Sequence, residues 1–270
     1  MKKEIIIGIV LSTATSLASG ENWPKLLDDL VSTDSSISAA ARDYAFRTAL
    51  PRLESMDAAA LNGEIQQILP LMQDKRENVR MQASGIIAGL ASIRLDSSVS
   101  IAPAIPILLE QFKDTQARVR ENAIFTIITL RPIPPSEALQ PLVDLLQDEN
   151  LRIEGGAIAG LSRLAAFVPA ADDALRTYLS SEKRPDRLIA AVYNIGEAKY
   201  ASPATVALMA PLLTYKDERV NLAVADAFRK LGPKAAGAKE SLRDVLSDSA
   251  SSDELRDITQ KALNAVGGQR

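Results

Sequence analysis

Apolar residues return at helical spacing in a series of similar segments along the chain. Counted from an aliphatic residue, small or apolar side chains follow at offsets of four, eight and eleven residues. At about 100° per residue these positions share one stripe of an α-helix, whereas a strand would alternate at every second residue. The five clear copies are Val79-Ala83-Ile87-Leu90, Val119-Ala123-Ile127-Leu130, Ile153-Ala157-Leu161-Leu164, Val220-Val224-Phe228-Leu231 and Leu255-Thr259-Leu263-Val266.

The spacing of these copies indicates a repeat. Their first residues lie 40, 34, 67 and 35 residues apart, so the longest gap has room for one more copy. That copy is Arg187-Ala191-Ile195-Ala198, in which only the first position has lost its aliphatic residue. The chain is therefore an array with a period of about 34 residues.

A second apolar segment precedes most copies and ends in an acidic turn, which makes the repeating unit two antiparallel helices. Such a pair cannot bury its apolar stripe alone, so neighbouring pairs must stack. An earlier, weaker copy begins near Trp23 and continues through Ile37, Ala41 and Tyr44. We therefore predict an all-α fold, a right-handed α-solenoid of about seven antiparallel helix pairs. The preceding segments are Ile105 to Asp114, Leu139 to Asp148, Val206 to Asp217 and Leu242 to Asp248.

Four runs of the sequence carry a family resemblance. Each has an acidic turn, an aliphatic residue often followed by Arg, and then Ala and Leu at helical spacing; the runs are DKRENVRMQASGIIAGLA, DTQARVRENAIFTIITL, DENLRIEGGAIAGLSRLA and YKDERVNLAVADAFRKLG. They resemble HEAT repeats, in particular the short class first noted in phycobilin lyases. The resemblance covers residues 56 to 267 and extends more weakly over 22 to 50. It implies a HEAT-like or armadillo-like superhelix.

The resemblance leaves the function open, because HEAT-like arrays serve as scaffolds, adaptors, lyase subunits and DNA glycosylases. The candidates are a protein-binding scaffold, a subunit or relative of a HEAT-like lyase, and a DNA-binding repair protein. The repair protein needs a basic groove with aromatic residues, whereas the one tryptophan, Trp23, lies near the N-terminus. The lyase needs a cluster that holds a cofactor, and the sequence offers none.

The first 20 residues have the layout of a secretory signal peptide. Met1-Lys2-Lys3 is basic, Ile5 to Leu11 is apolar, and small residues follow at Ser16, Ala18 and Gly20. The alternative is an apolar first helix that caps the array, but a cap presents a polar outer face and this segment has none. We expect cleavage after Ala18 or Gly20, and a periplasmic or secreted protein; the alternative is a cytoplasmic one.

The remaining residues, 21–270, are predicted to form a single solenoid domain. The sequence is 47% hydrophobic but only 4% aromatic, a mixture suited to closely packed helix pairs, and no Gly/Ser-rich linker interrupts the periodicity. Residues 131–135, rich in proline, are either a kink or an ordinary turn between repeats. No segment of the mature chain has the length and hydrophobicity of a membrane span.

The residue inventory excludes most catalytic chemistry. The sequence contains no cysteine and no histidine, which removes disulfides, thiolate ligands, thiol catalysis and the commonest general base. Gly155 and Gly156 lie within a helical pattern and not in a phosphate-binding loop, so we interpret them as sites of close helix approach. We expect no catalytic residues, no metal and no cofactor. The acidic pairs Asp28-Asp29, Asp172-Asp173 and Asp253-Glu254 are interpreted as helix-capping residues.

Charged residues recur at fixed places in the repeat. With 31 basic and 34 acidic residues, the chain lacks the excess of positive charge typical of nucleic-acid binding. Turn acids such as Asp74, Asp114 and Asp148 precede the second helix, and Arg80, Arg120 and, one turn out of register, Arg152 stand near its start. We predict a ladder of Asp and Arg between stacked units. The alternative is a basic strip for phosphates, which is weakened because Glu154 and Asn221 replace Arg80 in two other copies.

The second helices also carry apolar residues on the face that points away from the buried stripe. Offsets two, six and nine would be polar in a fully solvated helix. If these helices line the concave surface, such residues form an apolar strip suited to a peptide or a partner helix. The alternative is a tighter curvature that buries them between repeats. The strip consists of Met81, Phe125, Ile128, Ile189, Tyr193 and Leu222, edged by Arg80, Arg120 and Arg229.

These observations favour a non-catalytic scaffold that binds a protein or peptide along the second helices. Nucleic acid is not an expected partner. The identity of the partner and the oligomeric state do not follow from the sequence.

Overall fold

The computed structural model describes residues 27–29, 32, 55–93, 101–129 and 136–268. The chain divides into two compact units, Met1–Pro132 and Ile133–Arg270. The described residues of both units form helices and turns, with no strand among them. The signal peptide, the repeat beginning near Trp23 and the proline-rich stretch lie outside the described residues.

Unit 1 contains two described helix pairs. In each, a short first helix leads through a tight turn into a longer second helix, and the two second helices pack side by side. The first pair is α1 (Ala58–Ile68), extended by a 3₁₀ turn at Leu69–Gln73, and α2 (Glu77–Ile93); the second is α3 (Ile105–Gln111) and α4 (Ala117–Thr129).

Unit 2 stacks four helix pairs in chain order. Their second helices form one row, in which each helix packs against the next. The pairs are α5 (Leu139–Asp144) with α6 (Leu151–Leu164), α7 (Pro169–Ser181) with α8 (Pro185–Ala198), α9 (Pro203–Met209) with α10 (Glu218–Leu231), and α11 (Lys239–Ser247) with α12 (Asp253–Val266). A 3₁₀ turn extends α9 at Ala210–Thr214. The predicted all-α stacking of an α-solenoid is confirmed within each unit.

The repeated apolar positions form the core. In the second helices almost all of them are buried, including Val79, Ile127 and Phe228, which expose no measurable surface. Leu263 is an exception, since it lies half-buried on α12. Each buried aliphatic side chain contributes about 1.5 to 3 kcal/mol through the hydrophobic effect, so the stripe holds the pairs together.

The acidic turns are fixed by local hydrogen bonds, as the sequence predicts. In the turns before α2, α4 and α6, an aspartate carboxylate accepts a hydrogen bond from the backbone N–H two residues later. The acceptors are Asp74, Asp114 and Asp148, at 2.8, 2.9 and 2.9 Å. This bond satisfies an amide that the turn leaves free and lets the second helix begin at once.

The acidic pair at the start of α7 does more than was predicted. Asp172 lies in the first turn, but its carboxylate accepts hydrogen bonds from the Ser202 and Thr205 hydroxyls, at 2.8 and 2.7 Å, at the start of α9. It therefore joins two neighbouring pairs in addition to lying at a helix N-terminus. Asp173 pairs with Arg176.

Two second helices of unit 2 approach so closely at Gly196 that no side chain fits. A Cβ atom placed on Gly196 of α8 would lie 2.9 Å from the Cα and 3.2 Å from the Cβ of Ala227 on α10. Gly155 of α6 similarly faces the Asn194 side chain of α8, at 2.9 Å from such a Cβ. The interpretation of Gly155 as a packing residue is thus supported by its surroundings.

Gly196→Val is expected to lower the free energy of unfolding by about 1 to 3 kcal/mol, because the new side chain meets backbone and cannot be accommodated without moving a helix. Urea denaturation measures the loss. Gly63→Val is the matched control, since nothing lies within 4 Å of a Cβ at the exposed Gly63. A change within about 0.5 kcal/mol is expected there. Equal effects of the two substitutions would contradict the close approach of α8 and α10.

None of the helices in the described residues is long and apolar enough to cross a bilayer. No three acidic side chains in this part of the chain are grouped so that they could hold a metal ion.

Candidate partner-binding surface

The residues of the predicted apolar strip differ in how exposed they are in the structure. Tyr193 is 52% exposed, whereas the other five residues are half-buried. These are Met81, Phe125 and Ile128 in unit 1, and Ile189 and Leu222 in unit 2. The most accessible part of the strip therefore lies in unit 2.

In unit 1, the second helices are tied together beside the strip. The Asn122 side chain of α4 donates a hydrogen bond of 2.9 Å to the Met81 carbonyl of α2. This bond keeps α2 and α4 close, which partly covers the side chains between them.

The two arginines expected at the edge of the strip are engaged in the turns. Arg80 donates from Nη1 to the Asp74 carbonyl at 2.8 Å and from Nε to the Asp114 carboxylate of the next pair at 2.6 Å. Arg120 donates from Nη1 to the Asp114 carbonyl at 2.8 Å. The predicted ladder is confirmed for Arg80 and Asp114. Arg152 is exposed and does not contribute the contact expected of it.

The Arg80–Asp114 pair has the electrostatics of a structural contact. The hydrogen bond to Asp114 raises the pKa of Arg80 against the opposing effect of burial. Burial raises the pKa of Asp114, but the hydrogen bonds from Arg80 and from the Gln116 amide outweigh it and hold that pKa below its ordinary value. Both groups stay charged and paired with each other at neutral pH. Neither side chain is therefore free to bind a partner at the border of the strip.

The exposed part of the strip is a surface shared by α8 and α10, here called the Tyr193 surface. By repeat register, Ile189 and Leu222 lie at the same level of their helices, and Tyr193 lies one turn further along α8. Arg229 and Lys230 from α10 bring positive charge to it. The Tyr193 surface consists of Ile189, Tyr193, Leu222, Arg229 and Lys230.

A cation is held against the exposed ring. The Lys230 ammonium lies 4.4 Å from the centroid of Tyr193, within the range of a cation–π interaction. Two carboxylates anchor it, Glu197 at 2.7 Å and Asp226 at 2.8 Å. Because the ammonium is fixed from three sides, the ring is held in one orientation while about half of its residue stays exposed. Such a preordered aromatic side chain loses little conformational entropy when it binds a partner.

The charges around Tyr193 stabilise one another. Burial lowers the pKa of Lys230, but the hydrogen bonds to Asp226 and Glu197 outweigh it, so the net pKa is raised. Burial raises the pKa of Asp226, and the hydrogen bonds from Lys230 and Arg229 more than reverse this. The arrangement therefore persists across the neutral pH range.

Local sequence explains why Tyr193 projects at this point. The turn before α8 is fixed by Glu182, whose carboxylate accepts from the guanidinium of Arg184 and from the amides of Lys183 and Arg184. The Arg184 bond is the main cause of a Glu182 pKa of about 2. Gly196 then allows α10 to approach α8, which brings Lys230 within reach of the ring.

A second charged group in unit 2 is built around the fully buried Glu154. Glu154 of α6 accepts hydrogen bonds from the Tyr178 hydroxyl of α7 and lies 2.9 Å from the Arg187 guanidinium of α8. Burial, and the contact with Glu154, raise the pKa of Tyr178. Glu154 exposes no surface, so the group cannot meet a substrate from solution and serves to join three helices.

The repeat pattern does not indicate several residues of these sites. Lys230 and Glu197 were missed, because the repeat pattern gives the face of a single helix and not its partners on the next. Glu154 and Arg187 were seen only as two separate departures from the repeat. They lie 33 residues apart, about one period, and this shared distance was a signal that they are partners.

Comparison with known proteins agrees with the repeat. Residues 105–196 match the family model described as HEAT repeats, which confirms the resemblance seen in the sequence. No curated protein matches the chain. The solved structures that resemble this chain include engineered proteins of low identity.

Three such structures illustrate the range. A designed armadillo repeat protein has 19% identity and a TM-score of 0.41, covering 91% of this chain and 100% of its own. A second one, in complex with the peptide (KR)4, has 20% identity and a TM-score of 0.42, covering 91% and 100%. An engineered protein from a structural genomics consortium has 19% identity and a TM-score of 0.45, covering 92% and 99%.

Proposed function

We propose that this chain, a HEAT-like repeat protein, is a non-catalytic scaffold that binds a protein or peptide on the second helices of unit 2. The observation that carries the proposal is the exposed, anchored ring of Tyr193. The ring is held in place beside other apolar residues, so a partner can bury it with little loss of conformational entropy.

The chemistry of the Tyr193 surface suits a partner with an apolar side chain beside a polar backbone. Tyr193, Ile189 and Leu222 provide the apolar area, and the partly exposed Arg229 provides donors at its border. Aromatic and arginine residues are those most often found at the energetic centres of protein interfaces.

Export through the signal peptide is part of the same proposal. A scaffold released outside the cytoplasm would meet its partner there, and the chain has no cysteine that an oxidising compartment could modify.

Selection of a peptide-display library on the immobilised protein tests the binding proposal. Tyr193→Ala is expected to weaken the selected peptides at least tenfold, about 1.4 kcal/mol, because it removes the ring from the centre of the surface. Isothermal titration calorimetry measures the affinity.

Phe167→Ala is the matched control. Phe167 is also an exposed aromatic residue, 66% exposed, but it lies in the turn after α6 and not on the Tyr193 surface. Affinity should not change in this variant, and thermal melting should be similar in both. Selection of no peptide, or of peptides indifferent to Tyr193, would contradict the proposal.

A further inference from the structure

One position of the repeat carries an arginine in three of the six described second helices, and this arginine ties the turns together. It directly follows the first buried residue of the second helix, and Arg80, Arg120 and Arg256 occupy it. Each guanidinium donates to the carbonyl of its own turn, at Asp74, Asp114 and Asp248, and all three distances are 2.8 Å. Arg80 also binds the Asp114 carboxylate of the following turn. A guanidinium is thus the group that this part of the repeat accommodates.

In the pair α9–α10 this position is Asn221, whose side chain is too short to bind both its own turn and the following turn. The Asn221 side chain ends three atoms before the point where an arginine side chain ends. Its residue is 8% exposed, and its carboxamide oxygen is buried without a hydrogen-bond partner. A buried acceptor left without a donor costs about 1 to 3 kcal/mol. The missing partner at Asn221 is therefore a hydrogen-bond donor.

The space that an arginine would fill is open. A cavity of about 470 Å³ lies between the turn before α10 and the turn before α12, and Asn221, Tyr215, Glu218, Asp244 and Asp248 line it. We call this cavity the turn slot. It corresponds to the place between Asp74 and Asp114 in unit 1, where the Arg80 guanidinium lies.

Asp248 is the counterpart of Asp114 in the turn slot. Each accepts a hydrogen bond of 2.9 Å from the amide two residues later, at Ala250 and Gln116. Asp114 is paired with Arg80, whereas no described cation forms an ion pair with the carboxylate of Asp248 or Asp244. Lys216 also lines the slot and the Arg256 guanidinium lies on the Asp248 carbonyl, so the three carboxylates leave a net negative charge of one.

We propose that the turn slot binds the guanidinium of an arginine side chain from a partner protein. The planar group has five donors, which suit the Asp248 carboxylate and the Tyr215 carbonyl together. The Asn221 oxygen is buried, and a turn of its carboxamide toward the slot would bring it to the same group. A lysine ammonium has three donors and no planar fork, so it satisfies fewer of these acceptors. An anion is disfavoured by the three carboxylates.

The turn slot lies at the turns and not on the Tyr193 surface. It stands on Asn221 and its surroundings alone. Loss of binding at one surface therefore leaves the other untouched, and the two proposals fail separately.

Nuclear magnetic resonance titration of the ¹⁵N-labelled protein tests the slot. The peptide Gly-Gly-Arg-Gly-Gly is expected to shift the Asn221 side-chain amide and the backbone amides of residues 215–218 and 248–252 in a saturable way. The same peptide with citrulline in place of arginine is uncharged and should cause no saturable shift. Free arginine should bind at least tenfold more weakly than the peptide, because it lacks the flanking backbone that meets the turns. If the citrulline peptide binds equally well, the slot does not recognise a guanidinium. If free arginine binds equally well, the slot does not require an arginine that belongs to a partner protein.

Two substitutions should reduce peptide binding for different reasons, one by filling the slot and the other by removing a charge. Asn221→Arg supplies the chain's own guanidinium, so it should abolish peptide binding and raise the melting temperature. Asp248→Asn keeps the turn hydrogen bond but removes the charge, and it should weaken the peptide at least fivefold. Undiminished binding in both variants would overturn the proposal.

The reverse substitution offers an internal check. Arg80→Asn opens the equivalent place in unit 1, beside Asp114, and should create a second arginine site there. New saturable shifts at residues 114–116 are the expected result. Absence of a new site in a folded Arg80→Asn variant would show that an Asn at this position does not produce a slot, and would count against the proposal.

Discussion

Arg187→Met is expected to lower the free energy of unfolding by about 3 to 5 kcal/mol, the cost of leaving a buried charge without its partner. Glu154 exposes no surface and lies 2.9 Å from Arg187. One of its oxygens is already buried without a hydrogen-bond partner, so solvent offers no compensation. Urea denaturation followed by circular dichroism measures the change.

A double variant separates the charge from the packing. Replacing Glu154 by leucine in the Arg187→Met background removes the stranded carboxylate, and most of the lost stability should return. A loss below about 1 kcal/mol in the single variant, or no recovery in the double variant, would show that the pair does not join the helices.

Ile127→Ala is expected to cost about 2 to 5 kcal/mol in unit 1. Ile127 is fully buried on α4, and removal of its branched side chain leaves a cavity that close-packed helices fill poorly. Ile128→Ala is the neighbouring control, since Ile128 is half-buried and less than half of the loss is expected. Denaturant melts measure both, and a loss below about 0.5 kcal/mol for Ile127→Ala would show that the helical phase is wrong.

The buried core could be predicted from the sequence because the same spacing of apolar residues recurs in each second helix. Val79, Ile127 and Phe228 were placed inside by their spacing, and all three are fully buried. Leu263 follows the same spacing but is half-buried, because it lies on α12 and no described helix packs beyond that helix. Periodicity fixes a face of a helix, whereas burial also requires a neighbour.

The candidate site was less predictable for the same reason. Tyr193 and Phe125 share the offset of six, yet Tyr193 is 52% exposed and Phe125 is half-buried. The difference depends on how closely the second helices approach, which no single helix encodes. The partners of Tyr193, above all Lys230, come from the next repeat and could be named only once α8 and α10 were placed together.

The departures from the repeat are more informative than the consensus. At one position, Arg80 is replaced by Glu154 and by Asn221. Glu154 is compensated by Arg187 from the next second helix, whereas nothing within the described residues takes the place of the guanidinium at Asn221. The first departure is thus a structural substitution, and the second is the basis of the turn slot.

Photocrosslinking at Tyr193 is the most direct test of the proposed function. p-Benzoylphenylalanine replaces Tyr193 in one variant and Phe167 in another, and both are irradiated in the native host. We expect a discrete covalent adduct with another protein from position 193 and none from position 167. No adduct from position 193, or the same adducts from both positions, would contradict a binding surface on α8 and α10.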